Sequence, residues 1–282
     1  ELEAAHRAGL TDVHRLPDAG AQGFTTGECL VFPNQGQFHI LKYLTGLAEA
    51  ITRQGGQIFT NTHASEVKGG SQAGVTTTEG YEVSAEAVVI ATNTPFNDLV
   101  VMHTKQHPYR TYALAFRVPK GAVSKALYWD TPDPYHYIRL QEVHEPSGSG
   151  AAYDLLIVGG EDHKTGQENN YEERFRCLEE WARQNFPAAE QVEFRWSGQV
   201  MEPVDGLGYA GRNPLDADNI FIITGDSGHG MTHSTLGAQI VTDLILGREN
   251  PWAKLYDPGR VTVSPSCRVV RRSCDERTQL VS

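Results

Sequence analysis

The fold is decided by the stretch NIFIITGDSGHGMTHS, which occupies residues 219–234. Residues 219–224 form a short, mostly apolar run typical of a buried strand, and residues 234–246 have the spacing of a helix that Gly247 ends. The glycines between them let the backbone approach a ligand closely, and a helix N-terminus offers unpaired N–H groups with partial positive charge. The stretch therefore indicates either a ligand-binding turn or a plain strand–turn–helix connection.

A second buried strand is predicted at residues 87–92, after a helix and a hairpin. The helix is predicted at residues 37–54, where apolar side chains recur three, seven and ten residues after Leu41. A short buried strand cannot cover both of its faces alone. We therefore predict that residues 30–100 and 191–250 come together in one α/β layer.

The middle of the chain, residues 105–165, has the character of an antiparallel sheet. Its alternating or aromatic runs are separated by turns rich in proline or glycine. A second amphipathic helix is predicted at residues 170–185, and a further strand at residues 191–200. The predicted fold class is α/β (α+β), with a partial α/β layer and an antiparallel-sheet domain.

Composition narrows the function classes. The 282 residues are 39% hydrophobic and 21% charged, which is ordinary for a globular protein. A net charge of -11 without a basic run argues against nucleic acid as a partner, since phosphate binding needs clustered Lys and Arg. No run approaches the ~20 apolar residues of a membrane span. The polar N-terminus and four scattered cysteines predict a cytoplasmic location.

Two motifs are set aside. Residues 206–211 match GxGxxG, but Pro203 precedes them and Pro214 follows, whereas a dinucleotide fingerprint joins a strand to a helix. The motif is interpreted as a turn and a short strand. His229 and His233 are four residues apart, as metal ligands on a helix can be, but no third ligand accompanies them, so no metal site is predicted.

Three separated stretches carry a resemblance to a known family. They are residues 32–38 with the strand that ends at Val67, residues 87–93, and residues 218–232. Together they resemble the D-amino-acid oxidase/glycine oxidase/sarcosine oxidase superfamily of FAD enzymes. The similarity is strongest to the D-amino-acid dehydrogenase-like branch.

The resemblance implies the residues of a cofactor and substrate site. Val67 is expected near the adenine, and Ala91 and Thr92 near the pyrophosphate and ribose. The pyrimidine edge of the flavin is expected against one group of turn residues: Gly228, His229, Gly230, Met231 and Thr232. The antiparallel sheet is expected to cover the substrate, with Tyr137 and His163 in its pocket, while no catalytic residue is identified. Non-covalent FAD is expected, because residues 196–203 contain no cysteine.

The resemblance also implies a division of the chain. Residues 1–100 and 191–260 are expected to form an incomplete FAD-binding domain, and residues 101–190 a substrate domain. Independently of the resemblance, the polar, basic and aperiodic composition of residues 261–282 predicts a disordered or non-native tail. The chain departs from the family pattern by lacking the N-terminal strand, GxGxxG turn and helix, and by having Asn93 where glycine is usual. We therefore expect the chain alone to bind FAD weakly or not at all.

The function implied is an FAD-dependent oxidoreductase, here a truncated form. It would oxidise a small-molecule amine or amino acid by hydride transfer to flavin N5. Two alternatives stay open: a non-catalytic fragment that binds a ligand or a partner, and an FAD-dependent alcohol dehydrogenase similar to glycerol-3-phosphate dehydrogenases. The sequence does not show whether Arg110, Arg117 or Arg139 recognises a carboxylate or a phosphate.

Overall fold

The computed structural model describes residues 1–19, 22–97, 101–144 and 151–260, so the predicted tail at 261–282 lies outside the described residues. The chain divides into two compact units. The first consists of Glu1–Asn61 and Pro108–Gln199, and the second of Thr62–His107 and Val200–Ser282. Residues 1–61 thus group with the antiparallel sheet, whereas the prediction assigned them to the FAD-binding domain. The assignment of cofactor and substrate roles to the units stays a prediction.

The elements follow one another along the chain with helices and strands intermixed. The helices are α1 (Leu2–Arg7), α2 (Ile40–Arg53), α3 (Val101–Lys105), α4 (Tyr171–Asn185) and α5 (Gly230–Ile245). The strands are β1 (His14–Leu16), β2 (Cys29–Val31), β3 (Ala64–Lys68), β4 (Gly74–Thr77), β5 (Glu82–Ser84), β6 (Val88–Ile90), β7 (Gln106–Val118), β8 (Tyr128–Trp129), β9 (His136–His144), β10 (Ala151–Lys164), β11 (Val192–Pro203), β12 (Tyr209–Arg212) and β13 (Ile220–Thr224).

A five-stranded sheet forms the body of the first unit. Its order is β11-β7-β10-β9-β8, and β10 pairs antiparallel with both β7 and β9. The sheet predicted for residues 105–165 is therefore confirmed. Alternate side chains such as Leu114, Leu156 and Ile138 lie on one face in a core with Leu178 of α4. A fully buried aliphatic side chain of this kind stabilises the fold by about 1.5–3 kcal/mol.

Helix α2 is where its spacing predicts it, but none of its residues is buried. Its apolar stripe includes Leu41, which is 65% exposed, and Ile51, which is 47% exposed. Gly55 follows the helix with φ 87°, a left-handed conformation that suits a residue without a β-carbon. The periodicity predicted the helix correctly, while no burial in the described residues tests its apolar face.

The second unit holds two three-stranded sheets. In one, β13 pairs in parallel with β6 and antiparallel with β12, and in the other β3, β4 and β5 form an antiparallel meander. The pairing of β6 with β13 confirms that the two predicted buried runs belong to one layer. Their core contains Val88, Ile90, Ile220 and Ile222, with Tyr209 fully buried beside them.

Two further predictions concern the GxGxxG match and the first residue of helix α5. The GxGxxG match at residues 206–211 leads into strand β12 and not into a helix, as predicted. Helix α5 begins at Gly230, four residues before the predicted start at Ser234. The glycine-rich stretch has no apolar periodicity, so the pattern could not show that its last residues already form the first helical turn. Within the described residues, no helix has the length and apolarity that crossing a bilayer requires.

Candidate functional site

Strands β6 and β13 end side by side in the second unit. Ile222 is opposite Ile90 in the parallel register. Two residues further along β13, the Thr224 hydroxyl donates a hydrogen bond to the Asn93 carbonyl. Gln106 Nε2 donates to Thr224 Oγ1 over 3.1 Å, so the buried hydroxyl is held from two sides. The carboxyl ends of parallel strands are where open α/β sheets bind ligands. The structure therefore brings the predicted residues around Thr92 next to the glycine-rich turn.

Asn93 adopts a left-handed conformation, with φ 64°. Only glycine does so without steric cost, and asparagine is among the residues that tolerate it best. Asn93, where the resemblance predicts glycine, thus adopts a conformation that also suits glycine. Ala91 and Thr92, which precede it, are both exposed, and the Thr92 hydroxyl donates to the Thr94 carbonyl over 2.8 Å.

The turn after β13 depends on three residues with positive φ: Gly225 at 74°, Ser227 at 47° and Gly228 at 74°. Its shape is fixed by bonds to β11, since the Ser227 amide donates to the Met201 carbonyl at 3.1 Å and the Ser227 hydroxyl donates to Glu202 Oε2 at 2.6 Å. A β-carbon at Gly225 would lie 2.9 Å from Pro203. The turn is thus a built feature with no room for a side chain at its start.

The turn presents a row of amides without protein acceptors. The N–H groups of Gly228, Gly230, Met231 and Thr232 have no hydrogen-bond acceptor in the part of the chain that the structure describes. Three of these residues form the first turn of α5, whose N-terminus carries the partial positive charge of the helix dipole. Gly228, His229, Met231 and Thr232 are exposed. The arrangement suits an electron-rich group that accepts several hydrogen bonds.

His233 contacts Thr224, the last residue of β13 before the turn. It is buried, its Nε2 lies 3.2 Å from the Thr224 carbonyl, and its ring fills the space where a β-carbon of Gly208 would stand. Burial lowers the pKa of His233 below its ordinary value, because the charged ring loses its water. His229 is instead the exposed N-cap of α5. Over the described residues, no three His, Cys, Asp or Glu side chains are grouped to hold a metal ion.

Val67 lies in β3, in register with Val75 of β4, and packs partly against the core of the second unit. Its backbone is therefore fixed by a sheet of local strands. Its contact with adenine stays a prediction.

The two predicted substrate residues lie on opposite faces of the five-stranded sheet. His163 lies on the face covered by α4, where its Nε2 is 2.8 Å from the Tyr112 hydroxyl and its ring stacks on Tyr171. Tyr137 lies on the other face, with its hydroxyl 3.3 Å from Thr111 Oγ1. The structure does not bring Tyr137 and His163 together. A direct contact of one ligand with both side chains is therefore not supported within this unit.

The irregularity that sets the position of His163 is a bulge in β10. The pairing of β10 with β7 shifts between Gly160 and His163, where Glu161 has a positive φ of 56°. A bulge re-aims the side chains that follow it. Gly159 and Gly160 stand directly before the bulge, where glycine in a strand is common, but a bulge interrupts the alternation, so alternation alone could not have placed His163.

Tyr137 is fixed by a glycine. Its ring lies across Gly159 on the neighbouring strand, where any β-carbon would overlap the ring. Burial raises the pKa of the Tyr137 hydroxyl, since the phenolate would lose its water. Tyr137 is thus a neutral hydroxyl held in a defined place.

The sequence did not identify the residues on the strands that hold this turn in place. Glu202 and Met201 hold Ser227, and Thr224 ties the two strand ends together. Glycine and serine in the stretch signalled a turn, but nothing in the sequence signalled its partners on another strand.

Comparisons with known proteins identify the family of this chain. Residues 2–244 match the family described as DAO: FAD dependent oxidoreductase. A Bacillus subtilis (strain 168) protein, YhfW, with the provisional name of Rieske 2Fe-2S iron-sulfur protein, is 28% identical over 254 residues, which cover 89% of this chain and 48% of YhfW. The D-amino acid dehydrogenase of Sinorhizobium medicae (strain WSM419) is 28% identical over 233 residues, or 79% of this chain and 50% of the enzyme.

The fold has solved counterparts. The crystal structure of glycine oxidase from Geobacillus kaustophilus superposes with a TM-score of 0.65 at 21% identity, covering 83% of this chain and 62% of that one. The chain spans about half the length of the curated relatives it matches. Since the family match extends over most of the sequence, this chain belongs to the DAO family of FAD dependent oxidoreductases.

Proposed function

We propose that this chain takes part in the oxidation of an amine or amino acid, that the turn at residues 225–232 holds the flavin ring of FAD, and that the face of the five-stranded sheet that carries Tyr137 contacts the substrate. The observation that carries the proposal is the row of free amides on this turn, next to the exposed residues Ala91 and Thr92 that follow β6. The likeness to amino-acid and amine enzymes supports the substrate class.

The donor set fits the cofactor. The pyrimidine edge of a flavin is rich in acceptor atoms, and negative charge collects there when the ring is reduced. Amides of Gly228, Gly230 and Met231 at a positive helix end favour that charge. Gly228 has no atom within 4 Å of where a β-carbon would stand, so its surface is open to a flat ring.

FAD, when bound, supplies the oxidising chemistry by accepting a hydride equivalent. The protein has to orient the substrate, keep it dry and present its amine in the neutral form. Tyr137 suits this task, because its neutral hydroxyl is fixed over Gly159 and can donate to or accept from a polar group. His163 acts at most through Tyr112, to which it is hydrogen-bonded, and is a positioning residue.

The test is to observe the turn directly while FAD is added. The 282-residue chain is labelled with ¹⁵N, and the amide signals of Gly228 and Gly230 are followed by NMR during titration with FAD and, separately, with ADP. We expect both amides to shift with FAD and to stay in place with ADP, which lacks the flavin ring. NMR is chosen because it detects weak binding, and the sequence has no strand–GxGxxG–helix unit to hold the pyrophosphate.

Two results would contradict the proposal. If neither amide moves at saturating FAD in a folded chain, the turn does not hold the flavin. If ADP shifts these amides as strongly as FAD, the turn binds the nucleotide half and not the ring.

A further inference from the structure

A cavity of about 270 Å³ lies at one end of the five-stranded sheet, in the first unit. Asp154 of β10 lines it, together with Leu140 of β9 and with Lys120 and Gly121, which follow the end of β7. One water molecule takes up roughly 30 Å³ of the liquid, so this volume exceeds what a single water fills. The cavity can therefore hold a small organic molecule.

The cavity lies on the face of the sheet that packs against α4. Asp154 pairs with Val118 and alternates along β10 with Leu156 and Val158, which belong to the core on that face. Tyr137 is opposite Gly159, on the other face. The cavity is therefore separate from the face that is proposed to contact the substrate.

Asp154 is a buried carboxylate with one unpaired oxygen. The residue is 7% exposed, and the Gly121 amide donates to its Oδ2 over 2.9 Å, whereas its Oδ1 has no donor in the part of the chain that the structure describes. Leaving a buried acceptor unpaired is unfavourable, and more so on a charged group. Because the terminal torsion of an aspartate is soft, the carboxylate can turn this oxygen toward a donor in the cavity.

A tight turn places a lysine beside this carboxylate. The Ala122 amide donates to the Pro119 carbonyl over 3.0 Å, and Gly121, the third residue of the turn, has φ 73°, a left-handed value that glycine adopts without steric cost. Lys120 precedes Gly121 and lines the cavity, and among the described residues no carboxylate lies within 4.0 Å of its ammonium group. The cavity thus has one negative and one positive group without an ion-pair partner.

The other two charges at the cavity neutralise each other. Lys125 Nζ lies 2.8 Å from Glu142 Oε1, and both residues are part of the cavity lining. The remaining wall is apolar, since Val123 and Leu140 are 2% and 4% exposed. The Lys125–Glu142 pair is therefore a matched control for Lys120 and Asp154.

We propose that this cavity binds a small zwitterionic amino acid, with its ammonium group on Asp154, its carboxylate on Lys120 and its side chain against Val123 and Leu140. Two unpaired charges of opposite sign match a ligand that carries both signs, whereas an amine or a carboxylate alone would leave one of them without a partner. This is a second amino-acid site, apart from the Tyr137 face. Its occupancy does not rest on the proposed function.

The experiment uses 2-aminoisobutyrate, which carries both charges and has no hydrogen on Cα that an oxidase could remove. Isobutyrate and isopropylamine have the same carbon branch with only one charge each. The amide signal of Gly121 in the ¹⁵N-labelled 282-residue chain reports binding, because this amide is bonded to Asp154. We expect 2-aminoisobutyrate to shift it, and each analogue to bind on the order of tenfold more weakly, since one charge-assisted hydrogen bond is lost.

Variants test the two groups separately. Asp154→Asn and Lys120→Gln should each weaken 2-aminoisobutyrate binding on the order of 10- to 100-fold, whereas the double variant Lys125→Gln/Glu142→Gln, which removes a balanced pair, should bind like the parent chain. Circular dichroism confirms that each variant is folded. Should Asp154→Asn fail to fold, Lys120→Gln decides, because Lys120 is exposed.

Three results would overturn the proposal. They are an unmoved Gly121 amide at saturating 2-aminoisobutyrate, isopropylamine or isobutyrate binding as tightly as 2-aminoisobutyrate, and unchanged affinity in the folded Asp154→Asn or Lys120→Gln chain. A response confined to Gly159 and its neighbours on the Tyr137 face would reject this second site and leave the proposed function intact. Loss of the FAD response at Gly228 with the Gly121 response intact would reject the proposed function alone.

Discussion

Alanine at Gly228 separates a role in flavin binding from a role in folding. Gly228 has φ 74° and Gly247 has φ 68°, and in both cases a β-carbon would have no atom within 4 Å. The two substitutions therefore impose the same backbone strain and no steric clash. Only Gly228 lies in the proposed flavin turn, whereas Gly247 follows the C-terminal end of α5.

The size of each effect follows from the structure. A non-glycine residue in the left-handed region costs about 1–2 kcal/mol, so Gly228→Ala and Gly247→Ala should lower the free energy of unfolding by similar amounts. A methyl group at Gly228 would also hold a flat ring away from the amides. The loss of one or two hydrogen bonds of about 0.5–1.5 kcal/mol each weakens binding by about tenfold.

The assay combines urea unfolding with a titration by FAD, monitored at the Gly230 amide. We expect similar unfolding midpoints for the two variants and a weaker FAD affinity for Gly228→Ala alone. Equal FAD affinities in the two variants would refute the reasoning, because the open space at Gly228 would then not be occupied by the ring.

Three further predictions address the five-stranded sheet, helix α4 and His233, which contacts the residue before the turn. Gly159→Ala should displace the Tyr137 ring and bring the pKa of its hydroxyl down toward its ordinary value, which ultraviolet titration of the phenol measures; an unchanged titration would mean that the ring does not depend on this glycine. Asn170→Ala removes the side-chain cap that accepts from the Glu173 amide at 3.3 Å and should cost about 1 kcal/mol in urea unfolding, with Asn170→Asp as the control that keeps the cap. Because burial lowers the pKa of His233 in the folded chain, the unfolded chain takes up the proton at a higher pH. The free energy of unfolding should therefore be highest above about pH 6.5 and should fall as the pH drops toward the folded pKa. His233→Asn should make this fall shallower, and an identical pH profile of the variant would contradict the prediction.

The sequence predicted local structure better than it predicted partners. Alternation and apolar runs located β7, β9, β10 and the parallel strands β6 and β13, because a strand's pattern reflects which faces it buries. The same reasoning found α2 and its apolar stripe but not what, if anything, covers it: Leu41 is 65% exposed. Periodicity identifies a face and says nothing of the surface that packs on it.

The candidate site shows the same limit. The residues of the stretch 219–234 predict either a ligand-binding turn or a plain strand–turn–helix connection, and the flavin contact stays a prediction. The sequence could not show that Ser227 bonds to Glu202, that the helix already begins at Gly230, or that a bulge turns His163 to the α4 side. Each of these depends on a contact between distant residues or on the exact geometry of the backbone, which residue types alone do not fix.

The hydrogen bond from Thr224 to Asn93 has a consequence for how the protein is made. It joins residues 131 positions apart in the sequence, and the residues paired between β13 and β6 have a similar sequence separation. Contacts of such long sequence separation form slowly, because a long loop has to close first. During synthesis, β6 therefore leaves the ribosome well before its partner and waits with one edge unpaired. The residues of the five-stranded sheet are translated in the interval, so the edge of β6 that β13 later covers stays open to aggregation until β13 has been synthesised.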